Sequence, residues 1–251
     1  MIEEKFASGH SLIHQVDPKI RIIASIVLSF AAALCDNIYI AILYFMISAI
    51  LITMARLNLQ DVIKRLKPVF WFLLMIWIIL PVTFEGKIIY QYHWLKIAGP
   101  GVMLCLKITI KSITILLIFT ALIATMTIAS LGNGLHKLCV PDKMVFLLLM
   151  SYRYIAVIEE EYKRLLRAAK FRGFSPGTNM HSYKTFAYLV GMLFVRASIR
   201  AQRVYQAMLC RGFNQKFHTL DVYQPNRLNS IFLTCILTAG LSLVILEIIW
   251  V

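Results

Sequence analysis

Charge is scarce in this chain. Only 15% of its 251 residues are Asp, Glu, Lys or Arg, against 60% hydrophobic ones, and the mean hydropathy is +0.75. A soluble domain carries about 25% charged and roughly 45–50% apolar residues. A freely soluble globular protein is therefore excluded, and an integral membrane protein is indicated. Acidic residues are the scarcest: 12 Asp or Glu stand against 26 Lys or Arg, for a net charge of +14. Too few carboxylates fall in the apolar stretches for a proton-driven carrier. There is no Walker A loop, no HExxH, no GxSxG and no glycine-rich dinucleotide loop, so nothing resembles a catalytic constellation. The five cysteines, at 35, 105, 139, 210 and 235, form no CxxC pair, and the six histidines are scattered. Free thiols are expected, with no disulfide and no metal cluster. Residues 1–21 lack the apolar core of a cleavable signal.

What the chain has is long hydrophobic runs. They cover Ile22–Leu34, Ile38–Ala55, Val69–Val82, Gly101–Leu131 and Leu228–Trp250. A span needs about 20 mostly apolar residues, so the first and third runs must recruit their flanks. Lys19 and Arg21 would snorkel at the end of the first, and Pro68 would break the chain before the third. Lys107 and Lys111 share one face of the fourth run; packing and interfacial snorkelling account for them more simply than an ion path. The loop from Arg56 to Lys67 holds four Lys or Arg, and the turn at Asp36 holds none. The positive-inside rule then puts the N-terminus and the 56–67 loop in the cytoplasm. Thr83–Pro100, with Tyr90, Tyr92 and Trp94, becomes an outer interfacial loop, and the C-terminus lies outside.

Between Gly132 and Arg227 there are 15 Lys or Arg against 5 Asp or Glu. Two stretches here, Met144–Arg172 and Ser182–Arg211, each open with an apolar run too short to span and then turn basic. Val145, Leu148, Tyr152, Ile155, Tyr162, Leu166 and Ala169 fall near one helical stripe of the first. Asp142 is expected as its N-cap, and Ser175-Pro176-Gly177 as part of the turn into the second. Glu159–Glu161 read as a solvated face or as i,i+4 partners of Lys163 and Arg164. His10, His14 and His218 read as surface residues. Met144, Met150, Met192 and Met208 read as interface filler, not metal ligands. The expected fold is all-α: a polytopic membrane protein with about five transmembrane helices and two long cytoplasmic helices. It divides into residues 1–131 (four spans), 132–227 (the cytoplasmic helices) and 228–251 (the last span).

Each basic helix closes on a near-repeat, Phe171-Arg172-Gly173-Phe174 and Cys210-Arg211-Gly212-Phe213. An Arg in the last turn suits the helix dipole, and a Gly just past it suits a left-handed cap. One copy is an ordinary cap. Two copies in a basic, water-facing context make two cationic tips for docking a soluble partner.

These residues carry a resemblance. The chain is similar, nearly end to end, to the transmembrane T component of an energy-coupling factor (ECF) transporter, most of all to the cobalt-type member. Asp17-Pro18-Lys19-Ile20-Arg21 resembles that family's entry to the first span. Met150–Tyr154 through Arg172-Gly173 resembles its first coupling helix, ending Ala-Arg-Gly. Leu189–Arg196 and Arg200–Met208 resemble the second and point to the cobalt or nickel branch. Phe171 and Cys210 depart from the usual Ala. The resemblance implies a non-catalytic, multi-pass subunit of the cell (inner) membrane with no cofactor of its own. Two ATP-binding cassette ATPase subunits would dock at the tips through Arg172, Gly173, Arg211, Gly212, Phe171, Cys210, Ala169, Ala207 and Met208. A membrane substrate-capture subunit for cobalt or nickel would pack on another face, and a small accessory membrane subunit is admitted as well. The lipid bilayer is the remaining partner, and no nucleic acid is expected. Two alternatives stay open on the residues alone. One is a membrane scaffold whose basic helices bind anionic lipid. The other is a polytopic lipid-processing transferase, which would need paired acidic residues to hold Mg²⁺.

Overall fold

The computed structural model describes residues 11–83, 88–92, 95–213 and 227–250. The expectations for the first ten residues, Trp94 and His218 lie outside them. The elements run α1 (Leu12–Gln15), α2 (Pro18–Leu34), α3 (Ile38–Ala55), α4 (Leu59–Thr83), β1 (Ile88–Tyr92), β2 (Leu95–Ala98), α5 (Gly99–Leu122), α6 (Ile128–Lys137), α7 (Asp142–Phe171), α8 (Met180–Cys210) and α9 (Arg227–Trp250). Among the described residues the protein is thus all-α apart from one short antiparallel ladder. Ile38–Ala55, Gly99–Leu122 and Asn229–Glu247 are long and apolar enough to cross a membrane. The helices α2, of 17 residues, and α4, of 25, are the other two expected spans.

The chain forms two compact units, whose boundary falls inside α6 between Gly134 and Leu135. The membrane unit comprises α1–α5, the first part of α6 and α9. Lipid tails are as apolar as Leu, so helices here associate through close packing of small residues and a few polar contacts. The sequence supplies both. The buried face of α2 carries Ala24, Ser25, Ser29, Ala31 and Ala32 around Leu28. That of α3 repeats at intervals of three and four: Ala41, Tyr44, Ser48, Leu51 and Ala55. Tyr44 donates to the carbonyl of Gly240 in α9 at 3.2 Å. Gly134 lies so close to α2 that a Cβ there would stand 2.8 Å from Ile22 Cδ1 and 3.0 Å from Pro18 Cβ. Large apolar side chains such as Phe30, Trp71 and Ile78 face outward, as lipid contact requires.

Four expectations are corrected. Arg21 does not snorkel. It is 2% exposed, and its guanidinium donates to the Leu122 carbonyl and to Thr125 Oγ1, because the end of α5 offers it carbonyls that lipid would leave unpaired. Pro68 does not break the chain: α4 runs through it and Pro81, since a proline inside a long helix forfeits only the hydrogen bond of its own turn. The run Gly101–Leu131 is not one helix. It ends at Leu122 and restarts at Ile128, where Thr127 accepts from the Ser130 amide at 3.1 Å and serves as a cap. Finally, Thr83–Pro100 is not simply a loop, since it contains β1 and β2, paired Tyr90↔Ile97 and Tyr92↔Leu95.

Candidate docking tips of the helical hairpin

The second unit is built on α7 and α8, of 30 and 31 residues, each roughly 45 Å long at 1.5 Å per residue. The N-cap of α7 is Pro141 rather than Asp142, which is the first helical residue. Proline supplies the extended conformation ahead of the helix, and Asp142 Oδ1 is drawn instead to His136 Nδ1 at 2.8 Å. The helices run antiparallel, as three cross-pairs show. Phe146 near the start of α7 meets Phe213 just past α8, with ring centroids 5.3 Å apart. Glu161 in mid-α7 meets Arg196 in mid-α8 at 2.5 Å. Phe174 just past α7 meets Phe186 near the start of α8 edge-on at 5.5 Å.

Between the helices runs a groove of about 430 Å³. Its α7 wall carries Phe146, Met150, Tyr154 and Val157, and its α8 wall Leu193, Ala197, Val204 and Met208. The groove side of α7 is not the expected stripe: Leu148 and Ile155 of that stripe are exposed, although Val145 is buried and Tyr152, Tyr162, Leu166 and Ala169 are half-buried. Halfway along the groove, Glu161 accepts from Arg196 and also lies 3.9 Å from Arg200 and from Arg164. The Arg196 hydrogen bond, with the charges of Arg196, Arg164 and Arg200, holds the Glu161 carboxyl below the usual carboxylate range against a desolvation that pushes it up. Its neighbours behave as the i,i+4 spacing predicts: Glu159 pairs with Lys163 at 2.5 Å and Glu160 with Arg164 at 2.6 Å.

The two Arg-Gly ends fold alike. Arg172 and Arg211 are the C-caps, with φ/ψ of −88/14° and −93/12°. Gly173 and Gly212 follow at φ +84° and +75°. At the first tip the Gly173 amide donates to Lys170 O at 3.0 Å and the Phe174 amide to Ala169 O at 3.1 Å. At the second the Gly212 amide donates to Leu209 O at 3.0 Å and the Phe213 amide to Met208 O at 3.1 Å. Both are Schellman caps, which need a left-handed residue in the glycine's place. A Cβ on either glycine would touch nothing within 4 Å, so backbone conformation, not space, demands Gly. Phe171, Arg172, Gly173, Ala207, Cys210, Arg211 and Gly212 are exposed, while Ala169 and Met208 are half-buried. Because the helices are antiparallel, the tips lie at opposite ends of the hairpin, roughly 40 Å apart by helix rise.

The reading of the sequence missed what anchors these tips. The residue after each glycine is Phe174 or Phe213, and each ring folds back onto the first turns of the other helix. The signal was present in the repeat, which is Arg-Gly-Phe rather than Arg-Gly. Glu161 was also missed, since nothing in a Glu-Glu-Glu run distinguishes the one that turns inward. Among the described residues, no group of His, Cys, Asp and Glu could hold a metal ion.

Comparison with known proteins agrees with this architecture. The family model described as "CbiQ: Cobalt transport protein" matches residues 9–220. An energy-coupling factor transporter transmembrane protein of Bacillus subtilis is 27% identical over 85% of this chain and 84% of its own length. Proteins of the same description from Listeria innocua and Brevibacillus brevis are 28% and 26% identical, covering 85% and 83% of this chain and 84% and 83% of their own lengths. The match of the family model takes in α1 to α8 and both capped tips without interruption, and the chain belongs to the CbiQ family.

Proposed function

We propose that this chain is the transmembrane coupling subunit of an ATP-driven importer of the energy-coupling factor type. It hydrolyses nothing itself. Two ATPase subunits dock at the tips through Arg172 and Arg211, with Gly173, Gly212, Phe171, Cys210, Ala169, Ala207 and Met208 shaping the contact. A membrane substrate-capture subunit packs elsewhere on the chain. The observation that carries this reading is the twin set of cation-bearing Schellman caps at opposite ends of one stiff hairpin. A guanidinium offers a planar fork that matches a carboxylate in a receiving groove. Among the described residues, neither Arg172 nor Arg211 meets a carboxylate of its own chain, so both remain available to a partner. A helix transmits a displacement at its end along its length, whereas a loop would absorb it.

The topology that goes with this has five spans, α2, α3, α4, α5 and α9, with 132–227 in the cytoplasm. It rests on the Lys and Arg bias of the segments that flank the apolar runs, Arg56 and the basic first turns of α4 among them. The cargo we propose is a cobalt or nickel ion. The description of the family model supports this, as does the resemblance of Arg200–Met208 to that branch. The choice of metal would rest with the capture subunit.

The test is charge reversal. The Arg172→Glu, Arg211→Glu chain should insert normally yet lose co-purification with the ATPases and ATP-driven uptake of Co²⁺ or Ni²⁺. Truncating a paired, desolvated charge at an interface costs roughly 2–5 kcal/mol, and reversal costs more. Normal assembly and uptake in this variant would return both motifs to ordinary helix caps.

A further inference from the structure

The near-identity of the two caps makes each the other's internal reference. With backbone angles and hydrogen bonds matched, the residue preceding each C-cap projects from its tip in the same way. At the first tip that residue is Phe171, and at the second it is Cys210. Phe171 is 91% exposed, more than any other large hydrophobic residue described. The contrast with Phe174, three residues on, is direct: Phe174 is turned inward onto Phe186, and Phe171 is turned out.

The surroundings of the two residues differ as well. Arg167 and Lys170 precede Phe171 by four residues and one and Arg172 follows it; all three are exposed, so the ring stands among cations. Among the described residues none of these three cations meets a carboxylate. Like charges three residues apart on a helix repel. One cation in the last turn suits the helix dipole; three around an exposed aromatic ring, none of them paired with a carboxylate, suit an acidic partner. At the second tip the equivalent of Lys170 is Leu209, half exposed, and the cationic residue nearest before Arg211 is Arg203.

We infer that Phe171 is a specificity-determining anchor: it inserts into an apolar, acid-rimmed pocket of the ATPase subunit at the α7 tip, and the α8 tip, with Leu209 and Cys210, fits a narrower groove that has no such pocket. The two tips are then not interchangeable. This rests on the docking reading above and deepens it. Aromatic residues beside Arg in a desolvated pocket are the kind of side chain that dominates interface affinity.

The experiment uses the full-length chain in lipid nanodiscs with its purified ATPase subunits, and reads dissociation constants in two single-tip backgrounds. Arg211→Glu leaves the α7 tip as the working site, and Arg172→Glu leaves the α8 tip. Adding Phe171→Cys to the first background should weaken binding about tenfold. Adding Cys210→Phe to the second should also weaken it, by fivefold or more, because a ring meets a groove built for a thiol. Phe171→Leu should stay within about threefold of the parent, since an apolar pocket accepts either side chain. No change with Phe171→Cys, or undiminished binding with Cys210→Phe, would overturn the inference. Phe171 is 91% exposed, so Phe171→Cys and Phe171→Leu should leave monodispersity and melting temperature as they are in their parent background. The two readings fail separately. If the doubly reversed Arg172→Glu, Arg211→Glu chain still binds the ATPases tightly, docking at the tips is wrong altogether. If it does not bind and Phe171→Cys is silent, only the anchor is wrong.

Discussion

The guanidinium of Arg21, at the start of α2, donates from Nε to the carbonyl oxygen of Leu122, at the end of α5, across 3.1 Å and 101 residues of sequence. Near the other end of α2 the favour is returned: Lys111 of α5 donates to the Ala33 carbonyl at 3.0 Å and lies 3.7 Å from Asp36. Each helix therefore closes the last turn of the other with a cation. Orphan carbonyls at helix ends need partners, and the dipole favours positive charge there. Lys111 is thus accounted for as a structural group, with no ion path required.

Replacing Arg21 by Leu should destabilise the membrane unit by about 2 kcal/mol, the scale for losing a charged hydrogen bond and stranding its acceptors. Arg21→Lys should recover part of this, since an ammonium cannot span Leu122 O and Thr125 Oγ1 as a guanidinium does. Unfolding in mixed micelles, followed by circular dichroism, measures both. Equal stability of the Leu variant and the parent would show that the contact contributes nothing.

Glycine substitutions should sort by mechanism. Gly173→Ala and Gly212→Ala meet open space but force a side chain into the left-handed region, at a cost of about 1–2 kcal/mol each to the local cap. Gly173→Asn and Gly212→Asn should be milder. Gly134→Ala faces a different obstacle, the Pro18 backbone 3.1 Å away and Ile22 Cδ1 at 2.8 Å, and should cost about 1–3 kcal/mol through overpacking. Amide exchange separates the cases: the tip variants loosen only the last turn of their helix, and the Gly134 variant loosens α2 and α6.

Removing the ring at position 213 should free the second tip while leaving its arginine in place. In Phe213→Ala, amides of the last turn of α8 should exchange faster by tenfold or more, and so should those at the start of α7 around Phe146, which loses its ring partner. ATPase binding should fall although Arg211 is untouched. A Phe213→Ala chain with unaltered exchange at both places would show that the cap stands without its anchor.

The hairpin should weaken in acid. The Glu161 carboxyl sits below the usual carboxylate range because of Arg196, Arg200 and Arg164. A group whose folded pKa is depressed contributes stability above its unfolded value, about 4.3 for Glu, and that contribution disappears as pH falls through the folded value. Glu161→Gln should remove the cross-hairpin share of the pH dependence, leaving that of Glu159, which its bond to Lys163 also holds low. Comparing the two proteins between pH 7 and pH 3, by spin-label distances across the hairpin, checks this. Parallel curves would assign the acid sensitivity to another group.

Much of this architecture is legible in residue order. Composition and run length place α3, α5 and α9 in the membrane, and the Arg-Gly repeat locates both caps to within a residue. What escaped was contact across the chain. A helical pattern shows Lys111 and Arg21 as costly charges in apolar surroundings, yet only the fold brings them the carbonyls of Ala33 and Leu122. The periodicity of α7 finds an amphipathic helix, but it cannot choose between faces when aromatic and aliphatic residues ring most of the cylinder. Pro68 shows the opposite failure, a local rule for breaking helices outweighed by the length of the helix around it.

The pairing of Phe174 with Phe186 and of Phe213 with Phe146 has a consequence for how this protein can change over generations. Neither ring of a pair lies in the same helix as its partner, and each pair holds the end of one helix to the beginning of the other. A smaller residue at one position leaves its partner facing a void, which a larger neighbour could refill. Drift at the tips should therefore proceed by matched exchanges across the hairpin, with 146 and 213 changing together, and 174 and 186 likewise. The arginines between them, which face outward, should follow the surfaces they meet rather than the helix that carries them.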